Sequence, residues 1–230
     1  MTTTMTTTPE KHFEGARGAA NYPHFWLRLY DWWVLGVTTT HAWRCPTKTQ
    51  QLPFFREHLS SNHLDIGVGT GYYLKAADIP TSTKVTLADL NIPSLEVAKR
   101  VFGREDVECI QHDVFEPLDR GRKFGSISMF YFVHCLPAPL EKKMCIFKHL
   151  KYNLEEEGVI YGTTILGPRP GVKHNLFGRG PMRLCNHMGT FDNWGDSREG
   201  IERALKAEFR QVETRVVGTI LFFVAKEPVM

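Results

Sequence analysis

The chain has 230 residues, and its 28 lysines and arginines nearly balance 25 aspartates and glutamates, which leaves a net charge of +3. This length suits one α/β domain, and the lack of long blocks of like charge argues against a dedicated nucleic-acid surface. Five scattered cysteines without a C-x-x-C pair argue against a zinc knuckle or a redox motif, and no apolar run has membrane-spanning length. We therefore expect a soluble cytoplasmic protein that has neither a nucleic acid nor a membrane as its partner.

The first sixty residues divide into a polar tail and helical segments. Residues 1–11 are rich in threonine and contain no aromatic side chain, so we expect them to be disordered. Large apolar residues recur at helical spacing from Tyr22, which predicts an aromatic-rich amphipathic helix that ends at Gly36. A second helical segment is predicted at residues 39–59, interrupted by Pro46 and Pro53. Aromatic faces of this kind must cover another part of the molecule.

Residues 62–71 are the most informative stretch, because an apolar strand runs there into the alternating glycines Gly67, Gly69 and Gly71. A glycine-rich turn between a strand and a helix lets backbone N–H groups approach a ligand closely. The dinucleotide fingerprint would require a glycine where Tyr72 stands, so the spacing disfavours a pyrophosphate ligand. The preceding Asp65 would also repel a pyrophosphate but suits a cationic amino group. A glycine-rich turn that binds nothing is the remaining alternative.

Strands and helices alternate after this turn. The pattern predicts strands at residues 84–89, 107–111, 124–133 and 158–166, and helices at residues 72–77, 94–102 and 139–154. This alternation favours a doubly wound parallel sheet, whose ligands bind outside the carboxyl ends of the strands. Asp89 ends the second predicted strand, where an acid can accept hydrogen bonds from both hydroxyls of a ribose. A cap at the start of the next helix is its alternative role.

The regular pattern lapses over residues 167–197, which are rich in proline and glycine and contain one short predicted helix at residues 182–188. A long insertion in a compact domain is usually functional, so we assign this one to the substrate pocket. Ser197 is expected to cap a helix that runs to Phe209. Two strands on either side of Gly218, at residues 212–217 and 219–225, would then form an antiparallel hairpin.

Residues 65–71 resemble the first motif of class I S-adenosylmethionine-dependent methyltransferases, whose cofactor carries an ammonium and a sulfonium but no phosphate. Residues 43–46 and 134–137 add a likeness to small stand-alone methyltransferases of microbial and fungal secondary metabolism. The resemblance implies one domain at residues 12–230 with a doubly wound, mostly parallel, seven-stranded Rossmann-like sheet. Within it, residues 12–60 would form a helical lid, residues 61–230 the cofactor-binding core, and residues 167–197 a substrate cap.

The resemblance also implies S-adenosylmethionine as the cofactor and a small molecule as the methyl acceptor. Asp89 would bind the ribose, Asp113 would bind the adenine amino group, and Val114 would pack on the adenine ring. The aromatic faces of Tyr72, Tyr73 and Tyr131 are suited to hold the sulfonium. The complete set assigned to the cofactor is Tyr30, Trp43, Asp65, Gly67, Gly69, Gly71, Tyr72, Asp89, Leu90, Asn91, Asp113, Val114 and Tyr131.

Methyl transfer requires mainly that two reactants be positioned, although a base helps to remove a proton from a hydroxyl or amine. His134 follows the fourth predicted strand and is the first candidate for that base, with a satisfied histidine at a strand end as the alternative. His174 and His187 are weaker candidates. The fourth strand lacks the acid that magnesium-dependent enzymes of the catechol type place at its end, so no metal is implied.

The predicted activity is transfer of a methyl group to an oxygen or nitrogen atom of a small molecule, in secondary metabolism. The alternative is a protein that keeps this fold for a non-methylating step such as a cyclisation. A nicotinamide oxidoreductase is disfavoured by Tyr72, and a non-enzymatic binding module is disfavoured by acids at three strand ends. The sequence does not identify the acceptor or the oligomeric state.

Overall fold

The computed structural model describes residues 32–169 and 171–230. The predictions for residues 1–11 and for the aromatic helix up to residue 31, including Tyr30, lie outside the described residues. Helix α1 (Trp32–Ala42) is π-helical and continues through Gly36, so the predicted helix end at this glycine is wrong. A π-helical turn (Thr47–Gln51) leads into α2 (Leu52–Glu57). Pro53 lies in the first turn of α2, where a missing N–H costs little, and it does not interrupt the helix.

The remaining elements alternate as the sequence pattern predicts. In chain order they are β1 (Asn62–Ile66), α3 (Tyr72–Ala76), β2 (Lys84–Asp89), α4 (Ile92–Phe102), β3 (Glu108–Gln111), β4 (Phe124–Phe130), α5 (Leu140–Lys143), α6 (Cys145–Leu150), β5 (Leu154–Ile165), α7 (Leu176–His187), α8 (Arg198–Glu208), β6 (Phe209–Val217) and β7 (Ile220–Pro228).

The seven strands form one sheet in the order β3-β2-β1-β4-β5-β7-β6. Strands β1 to β5 pair in parallel, and β7 is antiparallel to both β5 and β6. The predicted doubly wound, mostly parallel seven-stranded sheet is therefore confirmed. Strand order reverses between β1 and β4, and in such sheets this reversal opens a ligand-binding crevice at the carboxyl ends of the strands.

Apolar side chains cover both faces of the sheet, because successive residues of a strand point to opposite sides. One face packs against α2, α3 and α4 and contains Phe55, Tyr161 and Phe222. The other face packs against α6 and α8 and contains Ile160 and Phe223. Adjacent residues of β5, and adjacent residues of β7, thus lie in the cores on opposite faces of the sheet, which fixes the register of both strands.

Several element boundaries differ from the sequence predictions. Strand β4 ends at Phe130, and the next residue, Tyr131, leaves the extended region of backbone conformation with a φ of 54°. Strand β5 begins at Leu154. Its register against β4 shifts near the start, because Leu154 pairs with Phe124 while Val159 pairs with Ser126. The single helix predicted at residues 139–154 is broken into α5, α6 and a 3-10 turn (Lys151–Asn153).

Candidate functional site

The turn between β1 and α3 contains three glycines whose φ angles are all positive, at 70° for Gly67, 52° for Gly69 and 73° for Gly71. Their surroundings differ. A Cβ at Gly67 would overlap the Phe132 ring, and a Cβ at Gly71 would lie 2.8 Å from the carbonyl oxygen of Ala98 in α4. A Cβ at Gly69 would meet no atom within 4 Å. Two glycines thus permit close packing, while the backbone at Gly69 faces open space in which a ligand can approach.

Asp65 belongs to a buried polar chain that crosses from β1 to β4. The parallel register pairs His63 with Ser126 and Asp65 with Ser128, which places all four side chains on one face of the sheet. The Ser128 hydroxyl donates to Asp65 Oδ1 and lies 3.1 Å from His63 Nε2. His63 Nδ1 lies 2.8 Å from the Ser126 hydroxyl. Since Ser128 gives its proton to Asp65, His63 Nε2 is the donor to Ser128, and Nδ1 accepts from Ser126.

Burial changes the protonation of both ionisable members of this chain. The pKa of Asp65 is raised to about 7, first by burial and further by the nearby Asp89, against the opposing hydrogen bond from Ser128. The pKa of His63 is lowered to about 3 by burial, so this ring is neutral at physiological pH. Sequence reasoning missed His63 and both serines. The sequence feature that could have indicated them is a spacing of two residues between polar side chains in otherwise apolar strands. His63 and Asp65 have this spacing in β1, and Ser126 and Ser128 have it in β4.

Asp89 and Asp113 lie at the ends of neighbouring strands. Asp89 Oδ1 accepts from the backbone N–H of Asn91 at 2.8 Å, and burial raises the pKa of this carboxyl. Asp113 Oδ1 accepts from a backbone N–H two residues later, and the following Val114 is buried. Leu90 is 61% exposed although it is a large apolar residue. An acid beside an exposed apolar side chain suits a ligand with a hydroxylated sugar and a flat ring.

Tyr131 follows β4 with a φ of 54°, and such a left-handed conformation costs a bulky residue about 1–3 kcal/mol. Its hydroxyl accepts from Gln51 Nε2 at 2.7 Å, while Gln51 Oε1 accepts from the Tyr73 hydroxyl, also at 2.7 Å. Burial raises the pKa of both tyrosines, which therefore stay neutral. The fully buried Gln51, which the sequence analysis missed, thus fixes the N-terminal helices to the strand end at the glycine turn.

His134 is 2% exposed and lies in a 3-10 turn (Val133–Cys135) after β4. Its Nδ1 accepts a long hydrogen bond of 3.4 Å from the Ile165 N–H, so Nε2 carries the proton of the neutral ring. The ring is edge-on to Phe191, with centroids 4.5 Å apart. Burial, with a smaller effect of Lys143, lowers the pKa of His134 to about 3. The environment therefore favours a neutral hydrogen-bond donor over a proton acceptor.

Two aromatic residues assigned to the cofactor lie near this strand end. Trp43 is buried and contacts Phe191, with ring centroids 6.4 Å apart. Tyr72, at the start of α3, is partly buried and packs edge-on against Tyr73 at 5.4 Å. Tyr72 therefore lies on the glycine turn, while Trp43 lies on the side of the insertion.

Residues 167–197 are held to the sheet by buried polar contacts. The Lys143 ammonium lies 2.9 Å from the Asp196 carboxylate with both side chains buried, and it also donates to the Asp192 carbonyl. Burial raises the pKa of Asp196 to about 6 against the lowering effect of Lys143. The fully buried Asn193 donates to the Ile165 carbonyl at 2.9 Å. These contacts fix the insertion beside the carboxyl end of β5.

The insertion contains α7, which begins at Leu176, six residues before the predicted start. Its early glycine, Gly178, is explained by packing, since a Cβ there would lie 2.8 Å from the Ala42 carbonyl oxygen in α1. Of the two weaker histidine candidates, His174 is buried and donates from Nε2 to the Leu166 carbonyl at 3.0 Å. His187 is exposed at the end of α7.

The assigned residues that lie between Asp65 and His134 in the sequence are thus all located at the carboxyl ends of β1 to β4. Among the described residues, no three histidine, cysteine or acidic side chains are grouped so that they could hold a metal ion. In the same part of the chain, no helix has both the length and the apolar character needed to cross a membrane.

The chain is similar to known methyltransferases. Residues 64–160 match the family model described as a methyltransferase domain. An O-methyltransferase of the physcion biosynthesis cluster of Aspergillus chevalieri is 48% identical over 214 residues, which cover 92% of this chain and 96% of that protein. An N-methyltransferase of Penicillium aethiopicum is 42% identical over 230 residues, covering 99% of this chain and 96% of that protein.

Solved structures support the fold. The complex of DhpI with S-adenosylhomocysteine has a TM-score of 0.58 at 14% identity and covers 92% of this chain and 96% of that one. The N-methyltransferase NodS of Bradyrhizobium japonicum, also bound to S-adenosylhomocysteine, has a TM-score of 0.61 at 11% identity, with coverage of 94% and 98%. At these identities the likeness concerns the architecture.

Proposed function

This chain belongs to the class I S-adenosylmethionine-dependent methyltransferases, and we propose from that premise that its methyl acceptor is a phenolic hydroxyl of a small aromatic secondary metabolite. Methylation of a small molecule with S-adenosylmethionine is the activity of the family. The proposal adds which residues of this chain bind the cofactor and which atom of the acceptor is methylated. The cofactor assignment depends mainly on one observation, the open backbone at Gly69 with acids at three adjacent strand ends.

The described residues fit the cofactor along its whole length. Asp65 lies beside the glycine turn and offers a carboxylate to the ammonium group, while Asp89 offers one to the ribose hydroxyls. Leu90 presents an apolar surface for the adenine ring, and Asp113 an acceptor for its amino group. S-adenosylmethionine supplies the methyl group on a sulfonium, whose charge the nearby tyrosine faces stabilise by about 0.5–2 kcal/mol.

The acceptor is proposed to lie between the end of β4, Trp43 and the insertion. Aromatic rings line this region, because His134, Phe191 and Trp43 contact one another in sequence. Such rings suit a flat acceptor and exclude water from the reacting atoms. Oxygen is favoured over nitrogen because the O-methyltransferase relative is 48% identical and the N-methyltransferase relative is 42% identical.

We assign His134 to the acceptor side of this site, where its Nε2–H can orient the hydroxyl that is methylated. A ring whose pKa is about 3 is a weak base at neutral pH, and Nδ1 already accepts a hydrogen bond from the Ile165 N–H. A phenol has a pKa near 10 and is bound with its proton. Attack of its oxygen on the methyl group would give a strongly acidic protonated ether, whose proton passes to bulk water as the product leaves. The role of His134 as a base stays a prediction from the sequence.

Calorimetric titration with S-adenosylhomocysteine tests the cofactor assignment. Asp89→Asn keeps an acceptor for the Asn91 N–H but removes the charge, so affinity should fall by about 10- to 100-fold, as for a charged hydrogen bond. Asp119→Asn is the matched control, because this exposed aspartate accepts from the Gly121 N–H in the same kind of turn. Equal affinity in Asp89→Asn and the unaltered chain would remove Asp89 from the site.

Incubation with S-adenosylmethionine and matched pairs of phenols and anilines tests the acceptor atom. Mass spectrometry should find the methyl group on phenols. Methylated anilines without methylated phenols would overturn the choice of oxygen while leaving the cofactor assignment intact.

A further inference from the structure

A cavity of about 520 Å³ lies in the insertion, beside α7 and away from the glycine turn. Its volume falls within the range of about 300–1,000 Å³ that is usual for small-molecule sites. Four cationic side chains line it, together with His174 and a half-exposed tryptophan; the cations are Arg169, Lys173, Arg179 and Arg183. The concentration of positive charge in one cavity points to an anionic ligand.

These cations are available to a ligand. None of the four forms an ion pair with a carboxylate among the described residues. Arg169 donates at 3.4 Å to the Gly195 carbonyl, and Arg179 donates from Nε at 3.2 Å to the His174 carbonyl. Arg183 is exposed, and no described residue accepts a hydrogen bond from its side chain. Planar guanidinium groups with free donors suit a carboxylate.

His174 is a buried part of the wall of this cavity. The side chain is only 5% exposed, and its Nε2 donates to the Leu166 carbonyl. The other ring nitrogen, Nδ1, is buried and has no hydrogen-bond partner among the described residues. Burial lowers the pKa of His174, and Arg44 and Arg179 lower it further, so Nδ1 stays an acceptor. His174 therefore adds no charge to the four cations of the cavity.

The cavity adjoins the acceptor region through aromatic side chains. The His174 ring is edge-on to Trp43, with centroids 5.9 Å apart at an angle of 83°. Trp43 in turn contacts Phe191, which lies against His134 at the end of β4. The wall of the cavity is therefore also a wall of the region assigned to the methyl acceptor.

We propose that this cavity binds the acidic end of the methyl acceptor, and that the acceptor is an aromatic hydroxy acid. The carboxylate would bind the arginines, and the ring would pack beside Trp194, which is 47% exposed. This inference rests on the proposed function, since it identifies the chemical class of the same acceptor. It concerns binding and requires no further reactant.

Titration of the full chain with 2-, 3- and 4-hydroxybenzoate, and with phenol, tests the inference. At least one hydroxybenzoate should bind, and it should bind more tightly than phenol, which has no carboxylate for the arginines. Arg183→Gln should weaken that binding by about 10-fold, the effect of one charge-assisted hydrogen bond. Arg203→Gln is the matched control, because Arg203 is an exposed arginine on α8 outside the cavity. It should bind hydroxybenzoate as the unaltered chain does.

Failure of all three isomers to bind, or equal affinity in Arg183→Gln and the unaltered chain, would overturn the inference. Titration of the same preparations with S-adenosylhomocysteine separates this result from a failure of the proposed function. A chain that binds S-adenosylhomocysteine but no hydroxybenzoate keeps its cofactor site and loses only this acceptor class. A chain that does not bind S-adenosylhomocysteine contradicts the cofactor assignment.

Discussion

Asp65→Asn is expected to stabilise the protein at neutral and alkaline pH while leaving its stability near pH 4 almost unchanged. An asparagine has nearly the same shape and can still accept the hydrogen bond that Ser128 donates to Asp65 Oδ1. The substitution therefore removes the ionisation of the buried carboxyl and leaves the surrounding packing intact. Its effect reports the free energy of holding a negative charge at this position.

The direction follows from the raised pKa of Asp65, which is about 7 in the folded protein against 3.8 for the unperturbed group. Between these two values the folded state keeps the proton and the unfolded state has lost it, so the stability of the unaltered protein falls as pH rises. Below about pH 4 both states are protonated, and above about pH 7 both are ionised. Each unit of pKa corresponds to about 1.4 kcal/mol, so the advantage of the variant approaches ~4 kcal/mol above pH 7.

Urea unfolding of both proteins at pH values from 4.5 to 8.5 would measure this difference. Asp196, whose pKa is also raised, and the buried His63 and His134 titrate in both proteins, so subtraction isolates Asp65. The variant's advantage should grow up to about pH 7 and then level off. A difference that does not depend on pH, or that favours the unaltered protein at pH 8, would refute the account of Asp65 as a destabilising buried acid.

The glycine turn and the buried ion pair of Lys143 with Asp196 give two further predictions. Gly69→Ala should weaken S-adenosylhomocysteine binding, measured by calorimetry, and should destabilise by about 1–2 kcal/mol because alanine is strained at a positive φ. Gly71→Ala has the same strain and should destabilise by about 1–3 kcal/mol more, because its methyl group would press on Ala98 of α4; the reverse ranking in thermal melts would contradict this assignment. Lys143→Met should destabilise by about 3–5 kcal/mol in denaturant unfolding, since it strands the buried Asp196 carboxylate, and addition of Asp196→Leu should restore most of that loss.

The sequence predicted the sheet and the line of acids because both depend on local patterns. Gly67, Gly69 and Gly71 follow an apolar strand, and Asp89 ends the next one, so their placement at one edge follows from the alternation of strands and helices.

Contacts between distant parts of the chain could not be predicted in this way. Gln51 and Tyr131 are 80 residues apart, and only the packing of the N-terminal helices against β4 brings them together. The chain of serines and histidine beside Asp65 depends on the register of β1 against β4, which no local pattern shows. The start of α7 was missed because Gly178 and Pro181 are unfavourable in helices, and the contact of Gly178 with α1 becomes visible only in the folded chain.

The position of β7 bears on how this protein is made in the cell. Among the seven strands, β7 is synthesised last, yet it lies between β5 and β6 in the sheet. Its residues 220–223 are fully buried. Until residue 228 has left the ribosome, β5 presents an unpaired edge and an uncovered apolar face on the nascent chain. Exposed edges of this kind favour aggregation. Synthesis of the final strand is thus the step that ends this exposure, and the whole domain must wait for it before its sheet can close.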